Sequence, residues 1–373
     1  MKVIQIIDSL SQGGGVGSFV YDLCLALKRQ AIDVSLIGIL AGQEGDQVQK
    51  LRDADIPVYC LNAPDKKKAI LSYTPVLKKK IAEIAGDEET VCNLHLKLSV
   101  LLGVMATRGL KNVQCVETYH SQYSHYTLEY NLMKNRISRY ICCSDSAKKE
   151  FIKRFHPQKG KAVSIPNGID VETLHETYAD LEPHDGVIRL VSVGRFTDQK
   201  NIPLAAKAFS NLCNENLIYN IIGEGPYKEQ IEEAVGGNPY IKLLGTMPRE
   251  QVMQEVGKAD VVVMPSLWEG LSIFMLEAMS LGKVMLLADI SSFRNVVREK
   301  KLGEQEVYRK CSWGYLVRNE SNAFAGALKD YQVLPETEKQ EMSKSSYHIA
   351  EKYDIMNTTK KYIEIYAGGG YAL

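Results

Sequence analysis

Residues 261–287 read VVVMPSLWEGLSIFMLEAMSLGKVMLL. The β-branched run DVVVMPS (260–266) leads into the turn WEG. A helix-length apolar segment follows from about Ser272 to Gly282, and a second β run, KVMLLAD (283–289), closes the unit. Two buried strands joined by a helix are the repeating piece of a parallel sheet covered by helices. Glycine at 282 suits the position after a helix C-terminus, where the backbone turns left-handed. Two glutamates interrupt the apolar run, Glu269 in the turn and Glu277 in the second helical turn. A buried carboxylate without a partner is rare, because losing its hydration costs several kcal/mol or more. Two readings stay open. Either Glu269 caps the helix and Glu277 pairs with a core arginine, or both grip a polar ligand at the helix N-terminus. There the backbone N–H groups of Gly270, Leu271, Ser272 and Ile273 point outward, and the helix dipole suits a phosphate.

Working outward, the same strand–helix alternation fills the chain. VIQIID (3–8) reads as the first strand and GSFVYDLCLALKRQ (17–30) as the first helix. DVSLIGIL, IPVYCLN, TVCNLHL, VQCVETYH and RYICCS continue as strands, and AVSIPNGID (162–170) closes the first half. The polar stretch 171–186 reads as a linker. A second series starts with VIRLVSVGR (187–195) and runs through LIYNIIGEG, YIKLLGTM, DVVVMPS and KVMLLAD. At 373 residues the chain exceeds what one core sustains. The expectation is therefore α/β, with two doubly wound, Rossmann-like parallel-sheet domains facing across a cleft. Their boundaries are placed at 1–175 and 176–355, with a C-terminal helix, 356–373, crossing back to the first domain.

Lys+Arg and Asp+Glu both number 45, so the formal net charge is zero. That balance argues against an electrostatically driven nucleic-acid binder. The lysine triplets at 66–68 and 78–80 read either as solvated clusters around a helix or as a basic surface for an anionic lipid or acceptor. No segment is long and apolar enough for a membrane span. The eight cysteines show no metal-binding spacing and read as small core residues of a cytoplasmic protein, with peripheral membrane contact as an option.

Ligands of doubly wound sheets bind beyond the carboxyl ends of strands, so the residues there are the candidates. Arg195 follows the first strand of the second half, and Lys200 comes five residues later. Together they form a cationic pair able to neutralise a diphosphate leaving group. The glycine-rich loop SLSQGGGVGSF (9–19) lets backbone approach a phosphate or sugar. It fails as a dinucleotide fingerprint, because Ser18 stands where the third glycine belongs and no acidic residue ends the second strand. His120 ends a strand and is a candidate for a sugar hydroxyl or donor phosphate; His95 reads as structural. The Asp53/Asp55 pair precedes a strand, on the wrong rim for a metal, so neither metal nor cofactor is expected.

These residues carry a resemblance. The sequence resembles the retaining group-1 glycosyltransferases, family four, with the two-domain GT-B fold. EGLSIFMLE matches the family's E-x7-E element and VGRFTDQKN its Gly-Arg…Lys element. IIGEGP (221–226) matches its Gly-x-Gly turn and IPNGID (165–170) its Asn-Gly-[Ile/Val]-Asp segment. The resemblance implies transfer of a sugar from a nucleoside-diphosphate-sugar, such as a UDP-sugar, to a glycan or lipid-linked acceptor in polysaccharide or glycolipid assembly. It assigns the diphosphate to Arg195, Lys200 and the amides at 270–273, the donor sugar to Glu269, and the ribose to Glu277. Gly14 and Gly15 would close over the phosphates, and His120 would approach the transferred sugar. Gly194, Gly223 and Gly245, in the matching glycine turns and LLGTMP (243–248), would line the donor pocket. The alternatives are another sugar-nucleotide enzyme on this fold, such as an epimerase, or a non-catalytic binding subunit. The latter would be expected to lack Arg195, Lys200 or Glu269.

Overall fold

A computed structural model describes every residue except 11–14, 43–44, 121–132, 182, 184 and 369–373. The chain forms two compact units, residues 1–169 with 354–373, and residues 170–353. In the first unit, β1 (Lys2–Ile7), β2 (Asp33–Leu40), β3 (Val58–Ala63), β4 (Thr90–His95), β5 (Val113–Tyr119), β6 (Ile137–Cys142) and β7 (Ala162–Ser164) form one sheet. Its order is β3-β2-β1-β4-β5-β6-β7, and every pairing is parallel. Burial on both faces explains the near-continuous apolar runs.

The second unit repeats the plan. Its strands are β8 (Ile188–Val193), β9 (Leu217–Ile222), β10 (Ile241–Gly245), β11 (Val261–Met264), β12 (Val284–Ala288), β13 (Tyr308–Cys311) and β14 (Gly314–Val317). Their order is β10-β9-β8-β11-β12-β14-β13. The pairings are parallel apart from the β13–β14 hairpin. That hairpin did not register as strands in the sequence, because half-buried YRKC mixes charge with apolar residues. Two parallel Rossmann-like sheets of this kind make the GT-B fold.

The helix after β11 spans Ile273–Ser280, and Leu276, Ala278 and Met279 are fully buried. A helix apolar all round needs cover on every side. Helices Val171–Tyr178 and Glu336–Glu351 provide it. The first of these corrects the linker reading of 171–186. Asp170 accepts a hydrogen bond from the Thr173 amide at the helix N-terminus, and Val171 and Leu174 turn inward. Only two inward positions within eight residues are too few for a visible period.

The final helix, Ile355–Tyr366, belongs to the first unit and packs against helix Gly15–Arg29. Ile355, Thr358, Tyr362 and Ile365 form its buried face. The Ile355 amide donates to the Ile169 carbonyl at 2.8 Å, and Thr358 Oγ1 donates to the Pro166 carbonyl at 3.1 Å. A Cβ on Gly168 would lie 2.7 Å from Ile355 Cα, a backbone atom that cannot swing aside. Gly168→Ala is therefore expected to loosen this helix and lower stability by about 1–3 kcal/mol, read as a fall in the denaturation midpoint. An unchanged midpoint would show that the seam tolerates a methyl group.

Candidate functional site

In the second unit the strand order reverses between β8 and β11, and their carboxyl ends are where such sheets bind ligands. β8 delivers Gly194 and Arg195, followed by a 3₁₀ turn, Asp198–Lys200. β11 delivers the loop from Pro265 to Ser272. The two loops are stitched together. The Leu267 amide donates to the Gln199 carbonyl at 2.9 Å, and Asn201 Nδ2 donates to the Pro265 carbonyl and to Asn319 Oδ1.

Lys200 Nζ lies 2.6 Å from Glu269 Oε1, which also accepts from Ser266 Oγ at 2.9 Å. Gln199 Nε2 donates to the other carboxylate oxygen at 3.3 Å. Glu269 is 8% exposed, so these donors replace the water it has lost. A lysine has three donors, and holding Glu269 leaves two for an anion. Its stem crosses the end of β8, where a Cβ on Gly194 would stand 3.1 Å from Lys200 Cε. Gly223, after β9, is tighter still, since a Cβ there would reach 2.0 Å from the Gly194 carbonyl oxygen. Gly245, ending β10, accepts the Gly223 amide at 2.8 Å.

Arg195 is exposed, and among the described residues its guanidinium has no hydrogen bond or ion pair. Ser272 Oγ accepts from the Met275 amide and caps helix Ile273–Ser280. The cap is thus Ser272, which removes the reading of Glu269 as the capping residue. The amides of Gly270, Leu271, Ser272 and Ile273 donate to no described group. Glu277, 5% exposed, does pair with an arginine. Arg249 Nη2 and Nε reach its Oε1 at 2.6 and 3.1 Å, while Oε2 accepts from no described residue. Among the described residues, the second unit therefore joins unsatisfied N–H donors and a free guanidinium to carboxylate oxygens with spare capacity, on one strand-end rim.

The first unit places His95 and His120 at the carboxyl ends of neighbouring β4 and β5. His120 Nε2 and His95 Nδ1 are 2.9 Å apart, and Asn167 Nδ2 lies 3.5 Å from His120 Nδ1. Both ring nitrogens of His120 are thus engaged, and a hydroxyl reaching Nδ1 must displace the Asn167 amide. Gly15 is the exposed first residue of helix Gly15–Arg29; Gly14 lies outside the described residues. Asp8, at the end of β1, accepts from the Ser99 amide at 2.8 Å, and burial raises its pKa.

Residues 13–173 match the model described as "Glycosyltransferase Family 4", and residues 176–345 match "Glycosyl transferases group 1". The chain belongs to the group-1 glycosyltransferases of family 4. One relative is the UDP-Gal:alpha-D-GlcNAc-diphosphoundecaprenol alpha-1,3-galactosyltransferase of Escherichia coli. It is 27% identical over 305 residues, covering 74% of this chain and 76% of that protein. A sulfoquinovosyl transferase of Arabidopsis thaliana is 29% identical over 304 residues, covering 75% of this chain and 57% of its own length. The Anabaena HepE structure in complex with UDP and glucose superposes with a TM-score of 0.75 at 16% identity, covering 98% of this chain and 99% of that one. At that identity the likeness establishes the fold.

The sequence reading of this glycosyltransferase missed Arg249, Gln199, Ser266 and Asn167. Arg249 had a signal of its own. A cation in the first turn of helix Arg249–Gly257 opposes the helix dipole, which calls for an anionic partner. The histidines, in turn, make stability depend on pH. Loss of hydration pulls His120 down to about 3 and His95 well below the ordinary value. Between about pH 6.5 and those folded values the unfolded chain binds more protons. The neutral pair therefore supports the fold above about pH 6.5 and loses that contribution as pH falls. A His95→Asn/His120→Asn variant is expected to show a shallower loss of melting temperature from pH 7 to 4.5 than the parent. Parallel pH profiles would contradict it.

Proposed function

We propose that this glycosyltransferase moves a sugar, with retention of anomeric configuration and without a metal ion, from a nucleoside-diphosphate-sugar to a glycan or lipid-linked acceptor. The observation that carries the reading is the Arg195 guanidinium, on the same rim as Lys200 and the amides at 270–273, with neither the guanidinium nor those amides bonded to any described residue. Cations and helix-end amides on one rim suit an anion with several oxygens. UDP is the favoured nucleotide, since UDP-Gal stands in the name of the Escherichia coli relative and UDP in that of the Anabaena complex.

In the reaction the bond between the sugar C1 and the β-phosphate oxygen breaks, and its electron pair leaves with the diphosphate. An acceptor hydroxyl oxygen forms the new bond on the same face of C1 and gives its proton to the departing phosphate oxygen. Arg195, Lys200 and the amides stabilise the growing negative charge, which is where such catalysis gains most. Glu269 accepts from donor-sugar hydroxyls. Glu277, held through Oε1 by Arg249, offers Oε2 to ribose hydroxyls. On the family resemblance Gly14 and Gly15 approach the phosphates, Gly194, Gly223 and Gly245 line the nucleotide, and His120 serves the transferred sugar.

A lipid-linked acceptor gains support from the first unit. Helices Lys66–Ser72 and Thr74–Ala85 meet at Tyr73, which ends one and begins the other. Leu71 is 73% exposed there, Ile70 41% and Val76 47%, among exposed Lys66, Lys67, Lys68, Lys78 and Lys79. Apolar tips framed by cations fit the interface of an anionic membrane. The E. coli relative, whose name includes diphosphoundecaprenol, acts on a substrate of that class.

UDP and its sugar conjugates are expected to raise the melting temperature, with or without EDTA, and Arg195→Ala to abolish the shift and reduce kcat/KM about 100-fold. A folded protein that no nucleoside diphosphate stabilises would sink the reading. The parent should co-sediment with phosphatidylglycerol vesicles more than with phosphatidylcholine vesicles, and Leu71→Glu should reduce that binding. Equal recovery on both vesicles would remove the membrane surface.

A further inference from the structure

We infer that the C-terminal helix Ile355–Tyr366 fixes the tautomer and orientation of His120 by holding both ends of a buried hydrogen-bond chain, making Gln5, His95, Asn167 and Tyr366 positioning residues for sugar transfer. The inference rests on the role given to His120 above and adds what sets its chemistry.

The chain starts on the helix. The Tyr366 hydroxyl accepts from Gln5 Nε2 at 3.2 Å, which turns Gln5 Oε1 towards His95 Nε2 at 2.7 Å and Asn93 Nδ2 at 2.9 Å. Asn93 Nδ2 also lies 3.1 Å from His95 Nε2, but the shorter contact is with the Gln5 amide oxygen, which only accepts, so His95 carries its proton on Nε2 and presents the lone pair of Nδ1. That lone pair takes the Nε2–H of His120, 2.9 Å away, and leaves His120 Nδ1 as an acceptor beside the Asn167 amide. Asn93 is oriented independently: its Oδ1 accepts from Thr118 Oγ1 at 2.9 Å, and Thr118 lies 3.4 Å from the Tyr362 hydroxyl of the same helix. Reversing the chain would set two acceptors, Gln5 Oε1 and His95 Nε2, against each other at 2.7 Å unless the Gln5 amide turned.

The other end is set by the first turn of the helix. Ile355 and Thr358 bond the carbonyls of Ile169 and Pro166, and Gly168 has no room for a side chain. Asn167 is thereby held at His120. It is 4% exposed, and its Oδ1 finds no partner among the described residues. This gives the IPNGID segment a role. A neutral His120 with an acceptor at Nδ1 can take a sugar hydroxyl in place of the Asn167 amide. It also puts no positive charge beside a sugar that becomes cationic as the diphosphate departs. Burial holds both imidazoles neutral, consistent with that polarity.

The test uses the full chain labelled with ¹⁵N-histidine. At pH 7 the ring nitrogens of His120 are expected to show a protonated Nε2 and a bare Nδ1. A protonated Nδ1, or an imidazolium, overturns the inference. Gln5→Met removes the acceptor for His95 and Tyr366→Phe removes the lock on Gln5; the second loses a single oxygen and serves if the first does not fold. Each should disturb the tautomer and lower kcat by about tenfold or more. The donor KM and the thermal shift with UDP, which read the second unit, should hold. An altered tautomer with unchanged kcat overturns the positioning role. If the parent transfers no sugar from any nucleoside-diphosphate-sugar, the proposed function falls, and the tautomer alone decides whether the chain has the stated polarity.

Discussion

The hydration that Glu269 and Glu277 give up on burial has to be replaced, and much of the second unit's strand-end rim is arranged around that requirement. Lys200, Ser266 and Gln199 supply donors to one carboxylate, and Arg249 supplies them to the other. The donors come from the loops after β8, β10 and β11, so satisfying the charges also fixes those loops against one another. The glycines follow from the same demand. The Lys200 stem passes over Gly194, where a Cβ would crowd it at 3.1 Å, and a Cβ on Gly223 would lie 2.0 Å from the Gly194 carbonyl oxygen. A buried ion pair adds little net stability over well-packed apolar residues, while breaking one is costly. Retaining two such carboxylates beside unsatisfied amides is more readily understood as preparation of a binding surface than as reinforcement of the fold.

The two units share the order of their first five strands and differ in what they do with the reversal point. In the first, Asp8 at the end of β1 bonds the amide and hydroxyl of Ser99, near the start of helix Lys97–Ala106. The protein's own carboxylate occupies the place where an anion would bind. In the second, the equivalent strand ends in Gly194 and Arg195, and the amides at 270–273 have no acceptor among the described residues. One topology thus yields a self-satisfied helix end and an open one, and the difference is whether an acid or a glycine follows the first strand.

Much of this was legible in the sequence. The β-branched runs mark the parallel strands closely, because strands buried on both faces need apolar residues at nearly every position. Ser272 and Gly282 bracket the buried helix, since a cap and a left-handed C-terminal residue leave chemical marks. Partners distant in sequence left weaker ones. Arg249 lies 28 residues from Glu277 and Asn167 lies 47 from His120, and no local period connects such pairs. The helix Val171–Tyr178 was hidden because its burial rests on two side chains. His120 was visible as a strand-end histidine, but its engagement with His95 depends on strand register, which only the sheet reveals.

The return of the last helix has a consequence for biosynthesis. The sheet of the first unit leaves the ribosome early, yet the helix that covers one of its faces follows the whole of the second unit. At ordinary translation speeds that interval is on the order of ten seconds or more. During it, Tyr362 and Tyr366 are missing from Thr118 and Gln5, and buried amides face solvent or a chaperone. The first half of this enzyme is thus synthesised before the second and completed after it, so a chain cut short within the second unit carries an oldest part that is unfinished.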